Sequence, residues 1–139
     1  MAEAKVVEKI EAGADEVWQY LGDFKNIQPG SGIESIKFTG EGVGMTRTIS
    51  MANGDIVERL EKYSDNSRTF TYAIINDDGP LPFSNYSATA QLTDNNDNTT
   101  TIEWTGTFEP RGIDEEKAIR LANNIYSGLI QKARKALTG

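Results

Sequence analysis

The stretch that decides the fold is residues 45–60, which read MTRTISMANGDIVERL. The pair Asn53-Gly54 inside it is a strong signal for a two-residue β-hairpin loop, because a type I′ turn needs a positive φ at both central positions. With these two residues as the loop, Ile49 faces Glu58 across the hairpin. The stretch therefore predicts two antiparallel strands joined by a tight turn.

Alternation along this hairpin puts a charged pair on its apolar face. In the predicted register Arg47 faces Leu60 and lies diagonally from Glu58. Charges on a core face are costly unless they are paired or hydrated by a cavity. The hairpin therefore indicates an interior pocket with polar groups, and the alternatives are a purely structural ion pair or a one-residue shift in register. The apolar face consists of Met45, Arg47, Ile49, Met51, Ile56, Glu58 and Leu60.

Composition narrows the function classes. The 139 residues suit one domain, which we expect to span residues 1–139. The net charge of −7 argues against nucleic acid or an anionic membrane surface as the main partner. The chain has neither cysteine nor histidine, which excludes disulfides, zinc–thiolate sites and a Ser-His-Asp arrangement. Any catalysis must rest on carboxylates, Tyr, Lys, Arg or water.

Targeting and metal signals are weak along the chain. There is no signal-peptide pattern and no apolar run as long as a membrane span. Residues 94–98 offer spaced oxygen ligands but lack the Gly and the distal Glu of an EF-hand loop, so we interpret them as a solvated turn. We therefore expect a cytoplasmic monomer or weak homodimer with no membrane insertion, no metal and no cofactor.

The order of elements is strand, helix, several strands and a long helix. Asp15 and Glu16 favour a helix start, and residues 24–27 are predicted to continue as a short second helix that ends at Pro29-Gly30. Residues 77–82 form a loop that is rich in Gly, Pro and Asp. Besides the hairpin, strands are predicted at residues 5–10, 33–39, 67–75, 85–93 and 99–108.

The last segment is the strongest helix prediction. Asp114 is a good N-cap, and about 23 residues give a helix of about 35 Å, which is long enough to cross a sheet. Gly128 lies close to its apolar stripe and either accommodates a neighbouring group or is a tolerated surface glycine. The stripe consists of Ala118, Leu121, Ala122, Ile125, Leu129, Ala133 and Leu137.

Together these elements predict an α+β fold in which a long helix buries its stripe against an antiparallel sheet. Tyrosine and tryptophan carry polar atoms that need partners when buried, and small residues beside them leave space. We therefore expect an amphipathic cavity rather than a solid core. The inward set combines Phe70, Tyr72, Tyr86, Trp104 and Phe108 with Ala88, Ala90 and Gly106.

In order and motifs the chain resembles the START-like, birch-pollen-allergen-type superfamily, specifically its polyketide cyclase/dehydrase type 2 branch. The resemblance implies a helix-grip fold, with a curved seven-stranded antiparallel sheet around a long C-terminal helix and two short helices after strand 1. It also implies a deep cavity for a hydrophobic, often aromatic molecule, with its mouth framed by residues 52–55, 76–83 and 109–114. The segments that carry it are residues 15–18, 22–24, 42–44, 54–60, 80–82 and 104–108, together with Arg47 and Tyr86.

Two function classes follow from the residues and the resemblance. In an enzyme, a cyclase or dehydratase, Arg47 would hold a carbonyl or enolate oxygen and Glu58 would move a proton. Tyr72 and Tyr86 would orient the substrate. In a non-catalytic carrier or sensor, the same groups would satisfy the polar end of a hydrophobic ligand or lipid. The remaining ligand-binding residues are predicted to be Ile49, Tyr72, Phe83, Trp104, Leu121 and Ile125.

Overall fold

A computed structural model describes residues 1–30 and 32–139. One seven-stranded antiparallel sheet has the strand order β1-β7-β6-β5-β4-β3-β2, and it curves around the C-terminal helix. The predicted sheet and long helix are thereby confirmed. The elements are β1 (Ala2–Ile10), α1 (Ala14–Leu21), β2 (Ile33–Thr39), β3 (Thr46–Met51), β4 (Gly54–Ser64), β5 (Thr69–Ile74), β6 (Phe83–Asp94), β7 (Thr100–Pro110) and α2 (Glu115–Thr138).

The predicted second short helix after β1 is wrong. After α1 the chain makes a turn in which the amide of Asn26 donates to the carbonyl of Asp23 at 2.9 Å. The carbonyl of Phe24 accepts a hydrogen bond from Arg47 Nη1 at 2.8 Å, so it is directed at a side chain rather than at a following helical turn. Pro29 lies too close for a helix to develop beyond this point.

The hairpin forms, but its loop is one residue earlier than predicted. Met51 pairs with Gly54, so the loop is Ala52-Asn53, and Arg47 lies directly opposite Glu58 rather than diagonal to it. Gly54 has a φ of 140°, and a Cβ there would lie 3.4 Å from Cδ of Pro80. The partner strand is thus displaced by two residues, which preserves the predicted alternation of faces.

Helix α2 begins at the predicted cap, because the Asp114 side chain accepts from the amide of Lys117 at 2.9 Å. Its buried stripe is centred differently from the prediction, since Tyr126 and Ile130 are fully buried. The predicted Leu121, Ile125, Leu129 and Leu137 are half-buried at its flanks. In the part of the chain that the structure describes, no helix is long and apolar enough to cross a membrane.

The two notable glycines play opposite roles. A Cβ on Gly106 of β7 would lie 1.9 Å from the hydroxyl oxygen of Tyr126, so the tyrosine of α2 occupies the space that this glycine leaves. A Cβ on Gly128 would meet nothing within 4 Å. Gly128 is therefore a tolerated surface glycine, and the close approach between helix and sheet is at Gly106.

Candidate functional site

The centre of the site is the Arg47–Glu58 pair on the concave face of the β3–β4 hairpin. Arg47 Nε donates to Glu58 Oε1 at 2.6 Å, and their side chains are only 13% and 10% exposed. A second ion pair, Arg59 with Glu61, lies within β4 on the opposite face of the sheet, and its side chains are 43% and 33% exposed. The concave face thus holds a desolvated ion pair, whose charges stabilise each other in place of water.

Arg47 is fixed on three sides. Its Nη1 donates to the carbonyl of Phe24 at 2.8 Å, and its Cζ lies 4.0 Å from the centroid of the Phe24 ring. The Tyr72 ring lies farther away, with 5.7 Å between its centroid and Cζ. Nη2 makes no hydrogen bond within residues 1–30 and 32–139. The guanidinium therefore has a held orientation and one nitrogen available to donate to another molecule.

Arg47 lines a cavity of about 330 Å³, which we call the inner cavity. Its walls come from the segment after α1, from the concave face of the sheet and from one side of α2. Most of the lining is apolar, and Asp23 and Lys132 add opposite charges. The lining residues are Tyr20, Leu21, Asp23, Phe24, Asn26, Ile27, Gln28, Arg47, Phe70, Trp104, Leu129 and Lys132.

A cluster of three buried tyrosines lies beside Arg47 and Glu58. The hydroxyls of Tyr86 and Tyr126 share a short hydrogen bond, and Trp104 Nε1 donates to the Tyr72 hydroxyl at 3.3 Å. Burial raises the pKa of Tyr126 to about 12, and burial likewise raises the pKa of Tyr72 and of Tyr86 well above its usual value. These hydroxyls are therefore neutral near pH 7 and act as hydrogen-bonding groups.

The structure brings together some of the predicted site residues. Arg47 and Trp104 line the inner cavity. Glu58 is bound to Arg47 but is not itself a lining residue, and Tyr72 and Tyr86 belong to the tyrosine cluster, which also lies outside the lining. Leu121 and Ile125 flank the buried stripe of α2 and lie outside the lining as well, and so does Ile49, which is buried in the hairpin.

The 76–83 loop, expected at the mouth of the cavity, lies elsewhere. Phe83 and Leu81 border a separate void of about 10 Å³ with Ile56 and Ile74. Arg111 Nη2 holds the loop by donating to the carbonyls of Gly79 and Leu81. The inner cavity is instead bordered by the segment after α1 and by α2.

Sequence reasoning did not assign five apolar residues of this lining to the site: Leu21, Phe24, Ile27, Phe70 and Leu129. Phe24 and Ile27 were assigned to a short helix, which concealed their direction. Leu129 was placed in the apolar stripe of α2 without being assigned to the site. For Phe24 and Ile27 the available signal was their apolar character in the segment before Pro29, because a segment without regular structure keeps such side chains only where they have a surface to cover.

A second concavity, of about 550 Å³, shares Asp23 and Phe24 with the lining of the inner cavity, and we call it the outer groove. Trp18 Nε1 and the Tyr63 hydroxyl both donate to Asp65 Oδ1, at 2.8 and 3.0 Å. Partial burial, and then the negative charges of Asp65 and Asp23, raise the pKa of Tyr63. The groove lining is Trp18, Gln19, Gly22, Asp23, Phe24, Lys25, Glu41, Gly42, Val43, Met45, Leu60, Tyr63 and Asp65.

The chain is similar to known proteins in sequence and in fold. The family described as "Polyketide cyclase / dehydrase and lipid transport" matches residues 1–138. The protein XoxI from Bacillus cereus is 34% identical with a TM-score of 0.85, over 99% of this chain and 96% of that one. An uncharacterized protein from Bacillus thuringiensis is also 34% identical, with a TM-score of 0.83 over 97% and 98% of the two chains.

A protein from Nitrosospira multiformis shares the fold at 24% identity, with a TM-score of 0.77 over 99% of this chain and 97% of that one. No curated protein matches the chain. The resemblance that the sequence motifs carried is confirmed by the family match over residues 1–138 and by the fold of these structures.

Proposed function

This chain belongs to the polyketide cyclase/dehydrase and lipid transport family, and on that premise we propose that it binds a small, largely apolar molecule in the inner cavity, with a ligand oxygen on Arg47. The observation that carries the proposal is an apolar cavity of about 330 Å³ with an arginine in its wall. Ligand pockets span about 300–1,000 Å³, so this volume suits a compact molecule of one or two rings.

The charge state of the pair favours a neutral oxygen as the ligand group. Glu58 already balances the charge of Arg47 at 2.6 Å, and the carboxylate of Asp23 also borders the cavity. Lys132, which also lines the cavity, offsets the charge of Asp23, so a ligand carboxylate would meet a site whose charges already cancel. A ketone or phenol oxygen can accept from Arg47 Nη2 without adding a charge to an apolar space.

The test compares two probes that differ in one atom. Acetophenone carries a carbonyl oxygen where α-methylstyrene carries a methylene carbon, and their shapes are otherwise nearly the same. A hydrogen bond from a charged donor contributes about 1.5–3 kcal/mol, so acetophenone should bind about tenfold more tightly or better. Calorimetric titration measures both constants. Equal affinities would show that Arg47 does not hold the ligand, and no binding of either probe would refute the proposed function.

A second candidate is catalysis of dehydration at the same site. It is supported by the family description and by the position of Glu58, whose Oε1 binds Arg47 and whose Oε2 makes no hydrogen bond within the described residues. For a β-hydroxyketone, Arg47 would stabilise the enolate oxygen while Glu58 takes the proton from the α-carbon. The enolate would then re-form the carbonyl and expel the β-hydroxyl, which takes the proton held on Glu58 and leaves as water, so that Glu58 is again a carboxylate and the product is the conjugated ketone.

This reaction is directly observable with 4-hydroxy-4-phenylbutan-2-one, because its product absorbs in the near ultraviolet. The assay is run at a temperature at which both variants are folded. An enzyme is supported if the wild-type protein forms the product, Glu58→Gln does not, and the control Glu61→Gln does. Binding of the substrate without product formation supports a carrier or sensor.

A further inference from the structure

Two concavities of the molecule, the inner cavity and the outer groove, share two lining residues. Phe24 lines both the inner cavity and the outer groove, and its neighbour Asp23 does the same. Phe24 is only 5% exposed, although it lies between two open spaces of about 330 and 550 Å³. Phe24 therefore borders both spaces.

The ring of Phe24 and the backbone that carries it are held by different contacts. The backbone turn is fixed by the Asp23–Asn26 hydrogen bond and by Asn26 Nδ2, which donates to the carbonyl of Tyr20 at 3.0 Å. The ring itself contacts Arg47 through its face and Tyr72 with 6.4 Å between centroids. A rotation about χ1 would move the ring while the turn and the Arg47–carbonyl hydrogen bond stay in place.

The outer groove has the surface that an apolar chain needs. Its floor is built from the buried side chains of Trp18, Met45 and Leu60, and Val43 borders it at 60% exposure. Three carboxylates and one lysine also border it, so the groove has a negative balance that disfavours an anionic chain end. A neutral aliphatic tail fits this combination of apolar floor and acidic border.

From these contacts, and on the basis of the proposed function, we propose that the outer groove is a second compartment of the binding site. The Phe24 ring swings aside to admit the apolar tail of a ligand whose oxygen is held on Arg47. Phe24 then determines ligand length: compact ligands stay in the inner cavity, and ligands with an aliphatic tail reach Val43 in the outer groove.

The two tryptophans provide one reporter for each compartment. Trp104 lines the inner cavity and Trp18 lines the outer groove, and the chain contains only these two tryptophans. Their indole N–H signals in a ¹⁵N correlation spectrum can be followed through titrations with phenyl alkyl ketones from acetophenone to octanophenone. Acetophenone should shift the Trp104 signal alone, and the longer ketones should shift both signals.

Affinity should rise with chain length once the tail enters the groove, by about fourfold for each methylene group that leaves water. Val43→Asp puts a charge into the groove. It should lower the affinity for octanophenone about tenfold or more and change the affinity for acetophenone by less than about twofold. Val7→Asp is the matched control, because Val7 is 54% exposed on β1 and lies outside both linings. In Phe24→Ala the Trp18 signal should shift with ketones whose alkyl chains are shorter than those needed in the wild-type protein.

The outcomes separate this proposal from the proposed function. If octanophenone shifts only the Trp104 signal, and Val43→Asp leaves its affinity unchanged, the tail does not enter the groove and the second compartment is refuted while the inner site stands. If neither ketone binds the wild-type protein, both are refuted. Val43→Asp replaces an exposed side chain and should fold, so the test does not depend on the stability of Phe24→Ala.

Discussion

Replacing Glu58 by Gln tests whether the charged pair on the concave face is desolvated. The substitution keeps the shape of the side chain and one oxygen acceptor for Arg47 Nε, while it removes the negative charge and replaces the second oxygen, which makes no hydrogen bond within the described residues, by an amide nitrogen. Arg47 keeps its hydrogen bond to the carbonyl of Phe24. The measured effect therefore reports the loss of charge attraction across the 2.6 Å contact.

The expected magnitude follows from the burial of the pair. Removing one partner of a buried ion pair costs about 3–5 kcal/mol, and the retained amide hydrogen bond recovers about 1 kcal/mol, which leaves about 2–4 kcal/mol. Unfolding entropy is about 2.1 cal/mol/K per residue, so for a chain of this length 1 kcal/mol corresponds to about 3–4 °C. Glu58→Gln should lower the Tm by about 7–14 °C.

Glu61→Gln is the matched control, because Glu61 pairs with Arg59 on the same strand at 3.0 Å but is 33% exposed. Exposed pairs contribute about 0.2–1 kcal/mol, so this variant should move the Tm by less than about 4 °C. Calorimetric or circular-dichroism melting at pH 7 measures both variants. Equal shifts for Glu58→Gln and Glu61→Gln would mean that water reaches the inner pair and that Arg47 is not held by it.

The tyrosine cluster predicts a loss of stability at high pH. Because burial raises the pKa of Tyr72, Tyr86 and Tyr126 above the unfolded value of about 10, stability is complete below pH 10 and falls as the pH rises toward the folded values. The free energy of unfolding should fall by about 1.4 kcal/mol per pH unit for each tyrosine. Urea unfolding at pH 9, 10 and 11 measures this slope, and a free energy that does not change with pH would contradict buried neutral hydroxyls. Gly128→Ala should stabilise α2 by about 1 kcal/mol, whereas Gly106→Ala should destabilise by about 1–3 kcal/mol. Adding Tyr126→Phe should relieve part of the Gly106→Ala cost in a double-mutant cycle, and full additivity would show that the two residues do not collide.

The hairpin shows why the concave charged pair was predictable although its turn was not. The loop is Ala52-Asn53 instead of Asn53-Gly54, and this moves the partner strand by two residues. A shift of two residues leaves every side chain on its face, whereas a shift of one would have reversed them all. The contact of Gly54 with Pro80 is a tertiary feature that no local turn preference contains.

The cavity lining could be predicted only in part, because it depends on how α2 packs against the concave face of the sheet. The predicted apolar stripe does not include Tyr126, yet the Tyr126 hydroxyl is satisfied by Tyr86 and fits against Gly106. The tyrosines therefore pack against one another instead of lining the cavity. The space remains where the irregular segment around Phe24 and Ile27 covers the sheet, and the packing of such a segment leaves no periodic pattern in the sequence.

The most direct test of the inner site is a crystal structure of the protein bound to acetophenone. We predict that the ketone oxygen lies within hydrogen-bonding distance, about 2.7–3.2 Å, of Arg47 Nη2, with the phenyl ring against Trp104 and the Arg47–Glu58 contact intact. A ketone bound elsewhere on the molecule, or bound in the inner cavity with its oxygen directed away from Arg47, would contradict the proposed function of this arginine.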